Sequence, residues 1–281
     1  MPSLAERLGY AADAKLLIVN CDDLGSSASA NRAIADVMAR GAATSATLMV
    51  PCPWALDGMR SAAQAGKGGG GIGVHLTLTA EYPGYRWRSL TAATSLHDDE
   101  GFMPATIQEV WAKADLADVR AECRAQIDQA YAWGVDVTHL DAHMGTMQLD
   151  PRYHAIMIEL AAAYRLPVRM FGQRTEAMFN VPGRAQAADA GVLHPDYMID
   201  LWQRPRGTLA EKLAGLRPGV TELFLHPVED GPELRAYDPT HPEIRCGDYA
   251  EMLDPSFETM IAAAGAVRIS FREIRDLQRA G

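Results

Sequence analysis

KLLIVNCDDLGSS, residues 15–27, decides how the rest of the chain is read. KLLIVN is a short apolar run of the kind that forms a buried strand, and the stretch that follows is rich in turn-forming residues. NRAIADVMARG (31–41) then places Ile34, Val37 and Met38 at helical spacing, with Gly41 as a C-cap. Strand, turn and helix make one βα unit. The same rhythm continues outward. SATLMV (45–50), GIGVHLTLT (71–79), VTHLD (137–141), PVRM (167–170), GVLH (191–194), TELFLH (221–226) and VRIS (267–270) are further strand candidates. Residues 106–133 read as one broken or two consecutive helices, with Val119, Cys123, Ile127 and Ala130 on one stripe. Residues 151–166 form a helix opened by Pro151. Strands separated by helices predict a parallel sheet of βαβ crossovers. The expected fold is α/β, a distorted TIM-like (β/α) barrel of seven to eight mostly parallel strands, with a doubly wound open sheet as the alternative. Residues 80–105 are polar and aperiodic and read as an irregular excursion. No repeat or linker divides the chain, which predicts a single domain over 1–281.

With 281 residues, 48% of them hydrophobic, the chain can bury a large core. A formal net charge of -10 opposes phosphate backbones and anionic lipid, so nucleic-acid and membrane partners are not expected. The first fourteen residues lack the apolar run of a signal peptide, and no stretch reaches the ~20 apolar residues of a membrane span. Cys21, Cys52, Cys123 and Cys246 are scattered without a CxxC pair, which predicts reduced thiols and a cytoplasmic location.

The chemistry-bearing residues fall at strand ends. Asp22 and Asp23 follow the first strand, His75 lies in 71–79, His139, Asp141 and His143 occupy and leave 137–141, and His226 closes 221–226. Carboxyl ends of parallel strands share one face, and that face holds the active site in such folds. Each residue has a plainer reading by itself. The Asp pair could cap the next helix, His75 could be a hydrogen-bonded core residue, and HLDAH could be a polar strand end. In HLDAH the spacing of two puts His139, Asp141 and His143 on one side of an extended chain, as a metal ligand and its orienting partner would be. Leu24-Gly25 begins a turn able to swing both aspartates into one pocket. Together these residues supply the carboxylate-plus-two-imidazole inventory of a catalytic metal centre, with a second carboxylate as base. That inventory suits amide hydrolysis.

Other signals carry less. AGKGGGG (65–71) lacks the Ser/Thr of a phosphate loop and precedes a strand, so it reads as a connector. No GxSxG elbow is present. His97, His154, His194 and His241 show no partner pattern, and Tyr82, Tyr85 and Trp87 read as part of a surface loop.

The ordered motifs VNCDDLGSSASANRAI, GIGVHLTLT, VTHLDAHMGT, LFLHPVED and VRISFREIRDL span residues 19–277 and resemble the YdjC-type carbohydrate deacetylases. The resemblance implies a barrel related to polysaccharide deacetylases and removal of N-acetyl groups from amino sugars or short chitooligosaccharides. It implies one divalent metal ion, zinc or magnesium, held by Asp23, His75 and His143. Asp22 would be the general base, and His226 the general acid or a ligand of the tetrahedral intermediate. The two-residue spacing of HLDAH adds Asp141 and His139 as candidates to orient the ligands, and relatives of the family are often dimers. Members commonly carry a His-rich run after the DxH motif, where this chain has Met144-Gly145-Thr146. The alternatives are a metal-dependent amidohydrolase of another acylated small molecule and a catalytically silent sugar-binding barrel.

Overall fold

The computed structural model describes residues 2–65, 70–202 and 208–281. Its sheet is built from β1 (Lys15–Leu24), β2 (Ser45–Leu48), β3 (Gly71–Leu76), β4 (Val137–Ala142), β5 (Tyr197–Asp200), β6 (Gly219–Leu225) and β7 (Ala266–Arg268). The strands are parallel and run in the order β4-β3-β2-β1-β6-β5, with β7 beside β1. β1 is long enough to take two neighbours in succession on one edge. Its first residues, Lys15 to Leu17, pair with β7, and Asn20 to Leu24 pair with β2. The sheet curls into a partial barrel, as the alternation of strands and helices predicts.

Two expected strands fare differently. At 167–170 there is one isolated bridge, Leu140 to Val168, which continues the curl beyond β4. Pro167 lacks an N–H, and only its carbonyl serves the ladder, accepting from Leu140 N at 3.0 Å. Residues 191–194 are not a strand either. Leu193 accepts one hydrogen bond from Val168 N, and the true strand, β5, begins after Pro195. β5 is half-buried, so its sequence YMID lacks an apolar run to announce it.

The helices follow their patterns closely. Ala28–Ala39 starts three residues before the periodic segment because Ser27 caps it, accepting from Ala30 N at 3.0 Å. Residues 106–133 resolve into Ile107–Lys113 and Leu116–Ala132, and the stripe Val119, Cys123, Ile127, Ala130 is fully buried. Pro151–Tyr164 has its proline in the first turn. The excursion after β3 holds only a 3-10 turn, Thr94–Leu96, and a Tyr82–Tyr85 bridge among regular elements. It is pinned by Glu122, whose buried carboxylate accepts from Leu90 N, Thr91 N and Thr91 Oγ1 at 2.7–3.0 Å. Among the described residues no helix is long and apolar enough to cross a membrane. None of the four cysteines, all among the described residues, forms a disulfide. Residues 66–69 of the glycine-rich connector lie outside the described residues.

Candidate metal centre and cavity

Adjacent strand residues point to opposite faces, yet Asp22 and Asp23 both line one cavity. The register of β1 against β2 slips between Cys21 and Leu24, and Asp23 takes a left-handed φ of 66°. Asp tolerates that conformation better than most residues. The swing therefore occurs within the strand, one residue before the expected Leu24-Gly25 turn. Capping is left to Ser27, which frees both aspartates.

Asp23 Oδ1 lies 3.4 Å from His75 Nε2 and 3.2 Å from His143 Nδ1. Neither contact has hydrogen-bond geometry, so this oxygen is buried without a hydrogen-bond partner. A tetrahedral ion with bonds of about 2.0–2.1 Å holds its ligand atoms about 3.3 Å apart. The three atoms thus have the spacing and chemistry to hold a divalent cation. Every other polar atom of the trio is taken. Asp23 Oδ2 accepts from Arg245 Nη1 at 2.7 Å, His75 Nδ1 meets Asp141 Oδ1 at 2.6 Å, and His143 Nε2 meets both oxygens of Glu81 at 3.0 Å. Carboxylates behind ligating imidazoles fix ring orientation and tautomer.

Electrostatics agree with that geometry. Burial pushes the His75 imidazole toward neutrality, but Asp141 and Asp23 reverse this and raise it to about 10. Burial acts likewise on His143, and Glu81 and Asp23 raise it to about 9. Burial would lift the Asp23 carboxyl, and His143 and Arg245 hold it well below the usual range instead. The site between the three ligand atoms thus favours positive charge.

Asp22 belongs to a second, deeper set. Arg169 grips it with two bonds of 2.6 Å, and also donates to Glu222 at 2.8 Å and reaches Asp141 at 3.1 Å. Asn20 Nδ2 donates to Asp22 Oδ1 and Thr47 Oγ1 to Asp141 Oδ2. One guanidinium therefore spaces the Asp22 and Asp141 carboxylates. His226, just past β6, has Nε2 3.8 Å from Asp22 Oδ2 and Nδ1 4.0 Å from Asp248 Oδ2. Burial lowers its pKa to about 4, so it is neutral at pH 7.

Asp22, Asp23, His75, His143 and His226 share a cavity of about 500 Å³, and Asp141 stands directly behind His75. His139 does not join them. Its ring stacks on Phe271 with centroids 3.7 Å apart, its Nδ1 meets Thr138 Oγ1, and burial drives its pKa down to about 3. The two-residue spacing does not carry His139 to the centre because it packs against the C-terminal helix Phe271–Ala280. His143 leaves the strand in a 3-10 turn. Reading the sequence missed Glu81, Arg169 and Arg245, and it set aside His241, which lines the cavity beside Trp202. An arginine inside the apolar run PVRM was the one visible signal. Of the loop aromatics, Tyr82 reaches the cavity and its hydroxyl oxygen accepts from Arg245 Nη2 at 2.8 Å, whereas Trp87 is buried and donates to Thr79 O.

Comparison with known proteins gives a consistent picture. Residues 16–263 match the family model described as YdjC-like protein. A carbohydrate deacetylase of Thermus thermophilus is 34% identical over 266 residues, covering 92% of this chain and 94% of the relative. One from Geobacillus stearothermophilus is 30% identical, covering 92% and 98%. The crystal structure of a candidate cellobiose-phosphate cleavage protein from Enterococcus faecalis superposes with a TM-score of 0.81 at 23% identity, covering 93% and 99%.

Proposed function

Since the chain belongs to the YdjC-like protein family, we propose that it is a carbohydrate deacetylase that uses a divalent cation to remove N-acetyl groups from amino sugars or short chitooligosaccharides. The observation that carries the metal requirement is Asp23 Oδ1, buried without a hydrogen-bond partner between two imidazole nitrogens. Asp23, His75 and His143 would hold the ion. Two imidazole donors suit zinc better than magnesium, which prefers oxygen ligands. Bound there, the cation would supply Lewis acidity, making water a stronger acid and drawing electron density from a carbonyl oxygen.

The chain's own groups do the rest. Asp22, clamped by Arg169 and Asn20, has its oxygens fixed at the cavity wall and takes a proton from the attacking water. His226, neutral at pH 7 and 3.8 Å from Asp22, relays a proton to the departing nitrogen. Asp141 and Arg245 hold His75 and Asp23 so that neither must reorient as charge develops. The volume of the cavity falls within the range of about 300–1,000 Å³ usual for small-molecule sites.

Acetate release from N-acetylated sugars tests this. Chelation is expected to abolish it and added zinc to restore it. Asp22→Asn is expected to keep the metal while lowering turnover by roughly 10²–10⁴, the range for a lost general base. Full activity in chelated protein that retains no metal would exclude the metal, and near-normal turnover of Asp22→Asn would exclude the base.

A further inference from the structure

Gln148 is 4% exposed and lines the cavity, and neither its Oε1 nor its Nε2 has a hydrogen-bond partner among the described residues. A buried carboxamide that spends neither its acceptor nor its donors destabilises the fold, so such a group calls for a reason. Its backbone supplies placement. Gln148 N donates to Gly145 O at 3.0 Å, closing the turn that begins at His143. The side chain is therefore held on a short, tight connection to the metal centre. Gly145 has a left-handed φ of 71°, which L side chains rarely adopt, so the turn that carries Gln148 depends on this glycine. The cavity that Gln148 lines is also lined by the apolar side chains of Met144, Leu149, Phe171 and Phe179. No charged side chain of the centre reaches the amide, since Arg169 and Arg245 are committed to carboxylates.

We propose that Gln148 is a substrate-binding residue that reads neighbouring hydroxyl groups of a pyranose ring. This assignment rests on the deacetylase reading above for the class of ligand. One amide offers an acceptor and a donor side by side, and a vicinal diol offers the complementary pair, each hydroxyl being able to give or take a proton. The apolar side chains of the same cavity match the C–H face that a sugar presents between its hydroxyls. A site whose buried polar groups are satisfied only by the ligand discriminates strongly against analogues lacking the matching hydroxyl. Gln148 is thus a specificity-determining residue for the sugar, not a participant in amide cleavage.

The test uses the full, zinc-loaded chain with N-acetylglucosamine, its monodeoxy analogues lacking the hydroxyl at carbon 3, 4 or 6, and N-ethylacetamide, which has no hydroxyl. Gln148→Met keeps the length and removes the hydrogen-bonding groups. It is expected to lower kcat/KM on N-acetylglucosamine by about 10- to 100-fold, mainly through KM. That loss should exceed any loss on N-ethylacetamide by at least tenfold, and the difference between the two proteins should narrow on the two adjacent deoxy analogues that each lack one hydroxyl of the diol. Equal losses on sugar and N-ethylacetamide, or no loss on the sugar, overturn the assignment. Calorimetric binding of N-acetylglucosamine separates this from the reading it rests on. A wild-type chain that binds the sugar without releasing acetate overturns deacetylation, and Gln148 stands if Gln148→Met still weakens that binding.

Discussion

Glu81 sits opposite Asp141 in the logic of the centre, with each carboxylate holding the outer nitrogen of one imidazole. The two are not equivalent. Asp141 is fully buried and shared with Arg169 and Thr47, whereas the Glu81 side chain is 19% exposed and stands at the cavity wall on the irregular excursion. Glu81 therefore governs how firmly His143 presents Nδ1. Glu81→Ala is expected to weaken zinc binding by about 10- to 100-fold, the usual cost of losing such a partner, and Glu81→Gln, which keeps an acceptor oxygen, to recover part of it. Competition against a chelating dye measures this, and zinc bound as tightly by the Ala variant as by wild type would refute it. Glu81 also shows why half of the centre was legible in sequence and half was not. Asp22, Asp23, His75, His143 and His226 stand out because titratable residues at the ends of apolar runs are conspicuous, and parallel strands must deliver them to one face. Their partners carry no such mark. Glu81 is 62 residues from His143, Arg169 is 147 from Asp22 and Arg245 is 222 from Asp23, so no local spacing joins them. The Gln148 side chain has no hydrogen-bond partner among the described residues to betray it.

At the scale of elements, β3 and β4 must pack closely enough to put His75 beside Asp141, which are paired in register. Gly73 makes that approach possible. A Cβ at this position would lie 2.5 Å from His139 Cε1 and 2.8 Å from the His139 carbonyl oxygen. His139 cannot yield easily, because its other side is stacked on Phe271. His139 is therefore a spacer between strand and C-terminal helix, which accounts for an imidazole in the DxH neighbourhood that has no share in the centre. Gly73→Ala is expected to cost about 1–3 kcal/mol, the range for overpacking a filled core. Urea unfolding would read it, and a loss below about 0.5 kcal/mol would mean that the sheet accommodates the methyl without strain. The element pattern was the most legible part of the sequence wherever an apolar run was long. β1, β3, β4 and β6 are fully or almost fully buried and overlap their runs, with ends displaced by up to four residues. β5 escaped because its residues are half-buried at the end of the strand order, and 167–170 misled because a short, mostly apolar stretch holds only one bridge. The bulge in β1 escaped for a different reason. A left-handed aspartate leaves no trace in hydrophobic pattern, although it decides where both carboxylates point.

For the whole molecule, the centre and the core pull histidine protonation in opposite directions, and stability should record both. An unfolded histidine titrates near 6.5. His139 and His226, lowered to about 3 and about 4, stay neutral in the folded chain while the unfolded chain takes up protons, so stability falls as pH drops below about 6.5. His75 and His143, raised to about 10 and about 9, have the reverse sign. In metal-free protein their contribution is complete below about 6.5 and is lost as pH climbs from there through 9 and 10. A cation that takes Nε2 of His75 and Nδ1 of His143 must displace those protons, so the zinc-loaded protein lacks this alkaline loss. The stability gap between zinc-loaded and metal-free chains should therefore widen with pH above 6.5. Each proton contributes about 1.4 kcal/mol per pH unit, and two give an upper limit of about 2.7 kcal/mol per unit. Urea unfolding of both forms at several pH values between 6 and 8.5 measures the slope. A gap that stays constant over that range would mean that the two imidazoles do not exchange protons for the metal, and the centre would have to be rebuilt on other donors.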